Sequence, residues 1–102
     1  MREEPVNLSR EIAFASIDGE REQQDKKFGV QNHGDLYWLA ILTEEVGEAA
    51  QAVIQERTYE EVEKEMLHIA AVAVSWIECH IRNTGPATAL RNNPVGFGPS
   101  DA

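Results

Sequence analysis

The chain has 102 residues, a formal net charge of −9 and a sequence pI of about 4.7. This length predicts one domain, large enough for a core but small enough to profit from self-association. The acidic balance argues against binding to nucleic acid, which needs clustered Lys and Arg, and favours a metal ion or a metal-bound phosphate as partner.

The single cysteine, Cys79, excludes an internal disulfide and suits a reducing compartment. The N-terminus shows no signal-peptide pattern, and the longest apolar run, 69–77, is too short to span a bilayer. We therefore expect a cytoplasmic protein with no membrane partner.

The first predicted helix follows Ser9, which can cap a helix that begins around Arg10. Ile12, Phe14 and Ile17 give this helix an apolar side. The pattern then continues as EREQQDKKF, which is strongly polar, so we expect one helix with a solvated second half.

A loop is predicted over 28–35, FGVQNHGD, because two glycines break the helical pattern. It places Gln31, Asn32 and His33 together. Two amides and an imidazole can read the hydrogen-bonding edges of a ligand, although these residue types are also ordinary turn formers.

A second helix is predicted from Asp35, as its N-cap, to about Arg57. At roughly 100° per residue, Glu45 falls inside the apolar surface of this helix, Glu48 at its border and Glu44 towards solvent. Burying an unpaired carboxylate costs on the order of several kcal/mol. Glu45 and Glu48 should therefore face a cation, a metal or a water-filled cleft, whereas an ordinary solvated acidic face is an equal alternative for Glu44.

The third helix opens at Thr58, and Glu61 completes a capping box of the form T-x-x-E. Positions 62–82 are apolar almost all round, so this helix should be buried on both sides, which predicts a subunit interface. Glu65 lies close to the apolar face with His68 on the same flank. A lone histidine here is as readily a hydrogen-bonded core residue as a metal ligand.

Asn83 and Gly85 end the third helix, and Pro86 enforces the stop. The remainder is rich in proline and glycine and has little periodicity. We therefore predict a single helical domain over 1–85 and an extended or disordered tail over 86–102.

Two helices that each offer an i, i+3 pair of acidic or imidazole side chains predict a metal site. Glu45 and Glu48 from one helix, with Glu65 and His68 from the other, can converge across an antiparallel pair. Carboxylate oxygens suit hard cations such as Mg²⁺ or Mn²⁺, and Mg²⁺ takes further ligands from substrate phosphates. Such a site would neutralise a triphosphate, hold a water in line with a phosphorus atom and stabilise the leaving pyrophosphate.

Residues 21–78 resemble the MazG-like family of all-α nucleoside triphosphate pyrophosphohydrolases. The resemblance is carried by QDKKFGVQNHGDLYWLAILTEEVGEAAQAV followed by EVEKEMLHIAAVAVSWIE. The family signature is an E-E-x-x-E block followed, after a spacer, by E-x-x-D. The chain has EEVGE at 44–48 and EMLH at 65–68, so His68 stands where the family pattern has Asp.

The resemblance implies an all-α antiparallel helical bundle, completed by homodimerisation or tetramerisation. It also implies hydrolysis of a nucleoside triphosphate to the monophosphate and pyrophosphate, dependent on Mg²⁺ or Mn²⁺, in cleansing the nucleotide pool. Carried over by position, Glu45, Glu48 and Glu65 are metal ligands, and Glu44 is a ligand or orients the attacking water. Imidazole is a poor ligand for Mg²⁺ but a good one for manganese, iron or zinc, so His68 removes a ligand, changes the metal or weakens catalysis.

The candidate substrate-binding residues surround the predicted loop: Lys26, Lys27, Gln31, Asn32, His33 and Trp38. The three loop residues are candidates for base selection, the tryptophan for stacking and the lysines for contact with phosphate oxygens. Each has an alternative as a turn former, a core aromatic or a surface charge.

Two other functions stay open. Glu65 and His68 have the E-x-x-H spacing of di-iron carboxylate bundles, which take one such motif from each of two helices and single glutamates from two others. A dimer of this chain could supply that set by adding Glu48. The other alternative is a nucleotide-binding module that keeps the fold but has lost turnover through His68.

Overall fold

The computed structural model describes residues 7–85, and within them it contains three α-helices and no strand. Helix α1 spans Leu8–Phe28, α2 spans Asp35–Ile54 and α3 spans Tyr59–Thr84. The all-α prediction is confirmed. The predicted tail over 86–102, including the proline that should stop the last helix, lies outside the described residues.

Helix α3 is the centre of the fold, because both α1 and α2 pack against it. Helices α2 and α3 run antiparallel: Asp35 at the start of α2 accepts a hydrogen bond from the indole Nε1 of Trp76 near the end of α3, at 2.9 Å. Trp38 from α2, 1% exposed, packs with Val72 and Cys79 of α3 in the core. Two faces of α3 are thus covered within one chain, so its apolar character does not by itself require a subunit interface.

The predicted ends of α3 are confirmed. The Thr58 side chain accepts a hydrogen bond from the Glu61 backbone N–H at 3.1 Å, and the Glu61 carboxylate accepts one from the Thr58 N–H at 3.2 Å. At the other end, Gly85 has a φ of 93°, a left-handed conformation that glycine adopts without steric cost. Local signals alone therefore locate this helix.

The predicted caps of the other two helices are wrong. The N-cap of α1 is Asn7, so Ser9 lies inside the helix, and the N-cap of α2 is Gly34, so Asp35 is already helical. Asp35 instead uses its carboxylate for the long-range bond to Trp76. A tertiary partner has replaced the local capping role.

The second half of α1 is not simply solvated, because Arg21 is only 8% exposed and joins α1 to α3. Its Nε donates to Glu78 Oε2 at 3.3 Å, and its Nη2 donates to Glu78 Oε1 and to Asp25 Oδ1. Its Nη1 donates to Gln24 Oε1 at 3.1 Å. Although the sequence of this half of α1 is polar, one face of it packs inward and is joined to α3 by the buried guanidinium group of Arg21.

The loop between α1 and α2 is tied to the C-terminal part of α3. Arg82 Nη2 donates to the backbone oxygen of Gln31 at 2.7 Å and to Asn32 Oδ1 at 3.1 Å. The loop begins at Gly29, whose φ of 72° also favours glycine. Within residues 7–85, no helix has the length and apolar character needed to cross a membrane.

Candidate metal centre

Three side chains from α2 and α3 converge at mid-length of the helix pair. Glu45, Glu65 and His68 each offer one ligand atom, and these atoms all lie within 4.8 Å of one another. His68 Nδ1 is 3.7 Å from Glu45 Oε1 and 3.5 Å from Glu65 Oε1. These separations are longer than hydrogen bonds, so the imidazole does not satisfy either carboxylate oxygen.

The local reason for this convergence is helical spacing combined with antiparallel packing. Glu65 and His68 are three residues apart on α3 and therefore lie on one face. Glu45 projects towards them from the part of α2 that packs on α3, and all three side chains are half-buried. The structure thus brings these three predicted residues together.

A fourth group, Glu20 from α1, was missed in the sequence. Its Oε2 lies 3.4 Å from His68 Nε2, so both imidazole nitrogens face carboxylates. Glu20 was not predicted as a site residue, because the polar second half of α1 indicates a solvated surface. The missed signal is spacing, since Ile17, Gln24 and Phe28 continue one helical face and Glu20 lies beside it.

The electrostatics of the cluster favour a cation. Burial raises the pKa of Glu45 above the ordinary carboxyl value; the charges of Glu48, Glu65 and Glu44 raise it further, while His68 lowers it. The Oε1 atoms of Glu45 and Glu65 are also buried without a hydrogen-bond partner. Unpaired buried acceptors of like charge are costly, and a bound cation would offset that cost.

The donor set indicates which cations fit. With Glu20 the cluster offers carboxylate oxygens from three helices and imidazole nitrogen from one residue. Oxygen ligands suit Mg²⁺ and Mn²⁺, but a nitrogen ligand favours Mn²⁺, Fe²⁺ or Zn²⁺ over Mg²⁺. The residues present therefore fit a divalent cation, with manganese the better match of the two ions predicted.

The other two glutamates of the EEVGE block lie outside the cluster. Glu44 is exposed, as its position on the helical wheel predicts, whereas Glu48, which was predicted to converge with Glu65 and His68, is also exposed and is not among the three grouped side chains. Glu48 is nevertheless close enough for its charge to raise the pKa of Glu45. The ligand roles of Glu48 and Glu44 remain predictions.

Two adjacent cavities open beside the cluster. One, of about 290 Å³, is lined by Glu20, Glu45 and His68 together with Lys27. The other, of about 230 Å³, is lined mainly by apolar and amide side chains, with Trp38 and Gln31 among them. Both include Gln24, Phe28 and Glu45 in their walls, so the second cavity adjoins the one over the acidic cluster.

The predicted substrate-binding residues do not all line the two cavities. Lys27 lines the cavity over the cluster, with its Nζ 5.3 Å from the centre of the Phe28 ring, whereas Lys26 is exposed on the last turn of α1. Asn32 uses its side-chain oxygen to bind Arg82.

The aromatic candidates have close contacts within the protein. His33 packs on Tyr37 and Trp38, with ring centres 4.4 and 4.9 Å apart. Trp38 is 1% exposed and is a wall of the second cavity. A base cannot stack broadly on so deeply buried an indole without movement of its neighbours. The substrate-binding roles of these residues remain predictions.

The fold and the site together define an all-α protein with a candidate divalent-cation centre between its three helices. Comparison of the chain with protein-family models, curated proteins and solved structures finds no match. Function must therefore be inferred from the cluster, its cavities and the motif in which they lie.

Proposed function

We propose that this chain is a metal-dependent nucleoside triphosphate pyrophosphohydrolase that converts (d)NTP to (d)NMP and pyrophosphate. One observation carries the proposal: Glu45, Glu65 and His68 have ligand atoms within 4.8 Å of one another. They belong to the EEVGE and EMLH segments that resemble the MazG-like signature. The coincidence of this motif with a cation-ready cluster supports hydrolysis of a metal-bound phosphate.

In this function Glu45, Glu65 and His68 hold Mg²⁺ or Mn²⁺, and Glu20 adds a carboxylate from α1. The bound cation would supply charge neutralisation for the phosphates and acidify a water molecule. Lys27, in the wall of the adjoining cavity, offers an ammonium group to phosphate oxygens. Glu48, exposed beside the cluster, is free to accept a proton from the attacking water or to complete the ligand set.

We also propose that the active protein is a homodimer or homotetramer. Among the described residues, buried apolar side chains are few, while many large ones are exposed, including Leu36 at 80% and Ile54 at 78% on α2. Extended exposed apolar surface on a small domain favours association. Light scattering coupled to size-exclusion chromatography tests this directly, and a monomer at micromolar concentration would contradict it.

The activity is tested by measuring pyrophosphate release from a panel of canonical and damaged nucleotides, with Mg²⁺ and Mn²⁺ compared. We expect Glu45→Gln and Glu65→Gln to abolish release, because each removes a cation ligand. Glu63→Gln is the matched control, since Glu63 is an exposed carboxylate on the same helix as Glu65. Circular dichroism should show that all three variants remain helical. If the wild-type protein hydrolyses no nucleotide with any divalent metal, the proposal is wrong.

The position of Glu20 favours a second candidate, a di-iron carboxylate site. Glu20 and Glu45 are single glutamates from two helices that face the Glu65 and His68 pair. One chain thus holds four of the six side chains of such a centre, and a second E-x-x-H motif would come from another copy. Iron in the purified protein, with oxo-bridge absorption in the near ultraviolet, would support this candidate; a colourless protein that needs magnesium would exclude it.

A further inference from the structure

The second cavity, beside the one over the acidic cluster, is lined by an amide whose orientation is fixed by the protein. Gln24 is half-buried on α1 and lines both this cavity and the one over the cluster. Its Oε1 accepts a hydrogen bond from Arg21 Nη1 at 3.1 Å. A guanidinium group can only donate, so the carbonyl end of Gln24 must face Arg21. The amide NH₂, a donor, is left for a ligand in the cavity.

Arg21 cannot readily release this orientation. It is 8% exposed, and its other nitrogens donate to Glu78 and Asp25. A flip of the Gln24 amide would place two donors opposite each other in a half-buried site. Gln24 therefore presents its N–H donors to the cavity and not its carbonyl oxygen.

The remaining wall suits a flat ring. Phe28 is 56% exposed and lines both cavities together with Gln24, so its side chain is accessible to a ligand in either cavity. Gln31 and Ser75 also line this cavity, and Ser75 is 6% exposed. An aromatic face next to a preset donor and further polar groups is a suitable arrangement for a nucleobase.

We propose that Gln24 is a specificity-determining residue that donates a hydrogen bond to the base of the substrate, and that Arg21 is the residue that positions it. This inference rests on the proposed nucleotide hydrolysis, with the phosphates at the acidic cluster and the base in the second cavity. A fixed N–H donor can donate a hydrogen bond to a keto oxygen of the base but not to an amino group at the same position. The site therefore prefers dUTP over dCTP and dGTP over dATP, by about 10-fold to 100-fold in kcat/KM.

The experiment measures kcat/KM for these two pairs of nucleotides with Mn²⁺. Gln24→Met keeps the length of the side chain but removes the donor, and we expect it to reduce both keto-to-amino ratios to about one. Gln23→Met is the matched control, because Gln23 is a neighbouring exposed glutamine that lines the cavity over the cluster but not the second cavity. Inorganic tripolyphosphate, which has no base, should inhibit wild type and Gln24→Met with the same Ki.

The positioning role of Arg21 has its own readout. Arg21→Lys keeps a group that only donates and should retain part of the keto preference, whereas Arg21→Met frees the amide to flip and should lose it. If Arg21→Met does not fold, the comparison of Gln24→Met with Gln23→Met still decides the proposal. A purely structural role for Arg21 would lower activity on all four nucleotides alike and leave their ratios unchanged.

Several results would overturn this inference while leaving hydrolysis intact. These are a wild-type preference for the amino members, equal ratios in Gln24→Met and Gln23→Met, or a raised Ki for tripolyphosphate in Gln24→Met. If the wild-type protein hydrolyses neither these four nucleotides nor any other member of the nucleotide panel, the proposed function fails instead. Calorimetric Kd values for the same nucleotides and variants then decide whether Gln24 selects the base.

Discussion

Replacing Glu45 by Gln should make the metal-free protein more stable and the metal-bound protein less stable. The substitution keeps the shape of the side chain but removes one negative charge from the cluster. Burial and neighbouring carboxylates already raise the pKa of Glu45, which means that its charged form is unfavourable in the folded protein. The same charge becomes useful only when a cation is bound.

The size of the effect follows from the distance between the charges. At 4.8 Å, the limit for the ligand atoms of this cluster, two unit charges repel by about 3.5 kcal/mol at an effective dielectric constant of about 20 and by about 0.9 kcal/mol in bulk water. Glu45 and Glu65 have side chains 23% and 20% exposed, so solvent screens part of this repulsion, and the attraction between Glu45 and His68 offsets a further part. We expect Glu45→Gln to add about 1–2 kcal/mol to the free energy of unfolding, or about 4–16 °C in Tm.

Thermal unfolding with and without Mn²⁺ provides the assay. In the presence of Mn²⁺ at about 100 times its Kd, wild type should gain about 2.7 kcal/mol, and the variant much less because it has lost a ligand. Glu63→Gln should behave as wild type in both conditions. Equal or lower stability of Glu45→Gln than of wild type in chelator would contradict this prediction, and so would equal stabilisation of both proteins by Mn²⁺.

Three further predictions concern pH, the metal and a helix cap. The pKa of Glu45 is raised in the folded protein, so its carboxyl group takes up a proton at a higher pH than in the unfolded chain. As pH falls through the folded pKa, the difference in free energy of unfolding between metal-free wild type and Glu45→Gln should narrow. Urea titrations that give the same difference at every pH would contradict this. His68→Asp should shift the metal preference from Mn²⁺ towards Mg²⁺, as measured by calorimetry, and should lower the melting temperature of the metal-free protein. If only this variant hydrolyses nucleotides, the wild-type protein is a nucleotide-binding module that has lost turnover. Thr58→Ala should lower the free energy of unfolding by about 1 kcal/mol in denaturant titrations, because it removes the cap of α3; an unchanged value would show that the box contributes nothing.

The sequence by itself determined the helical class and the features that depend on near neighbours. The Thr58 capping box and the Gly85 stop are local signals, and both agree with the structure. Helical periodicity also placed Glu45 and Glu65 at apolar faces that need a partner. Since an antiparallel pair brings such faces together, the convergence of two segments 20 residues apart could be anticipated.

Only the tertiary structure decided which polar residues of α1 face inward. Glu20 and Arg21 lie in a strongly polar run, and a helical wheel cannot distinguish a solvated charge from one whose partner is far along the chain. The partners are His68 and Glu78, both on α3. Likewise, the sequence predicted Asn32 as a ligand contact, whereas in the fold its side-chain oxygen accepts a hydrogen bond from Arg82. Long-range pairing depends on how the helices pack, and this packing determines both the fourth side chain of the candidate metal centre and the orientation of the Gln24 amide in the cavity beside it.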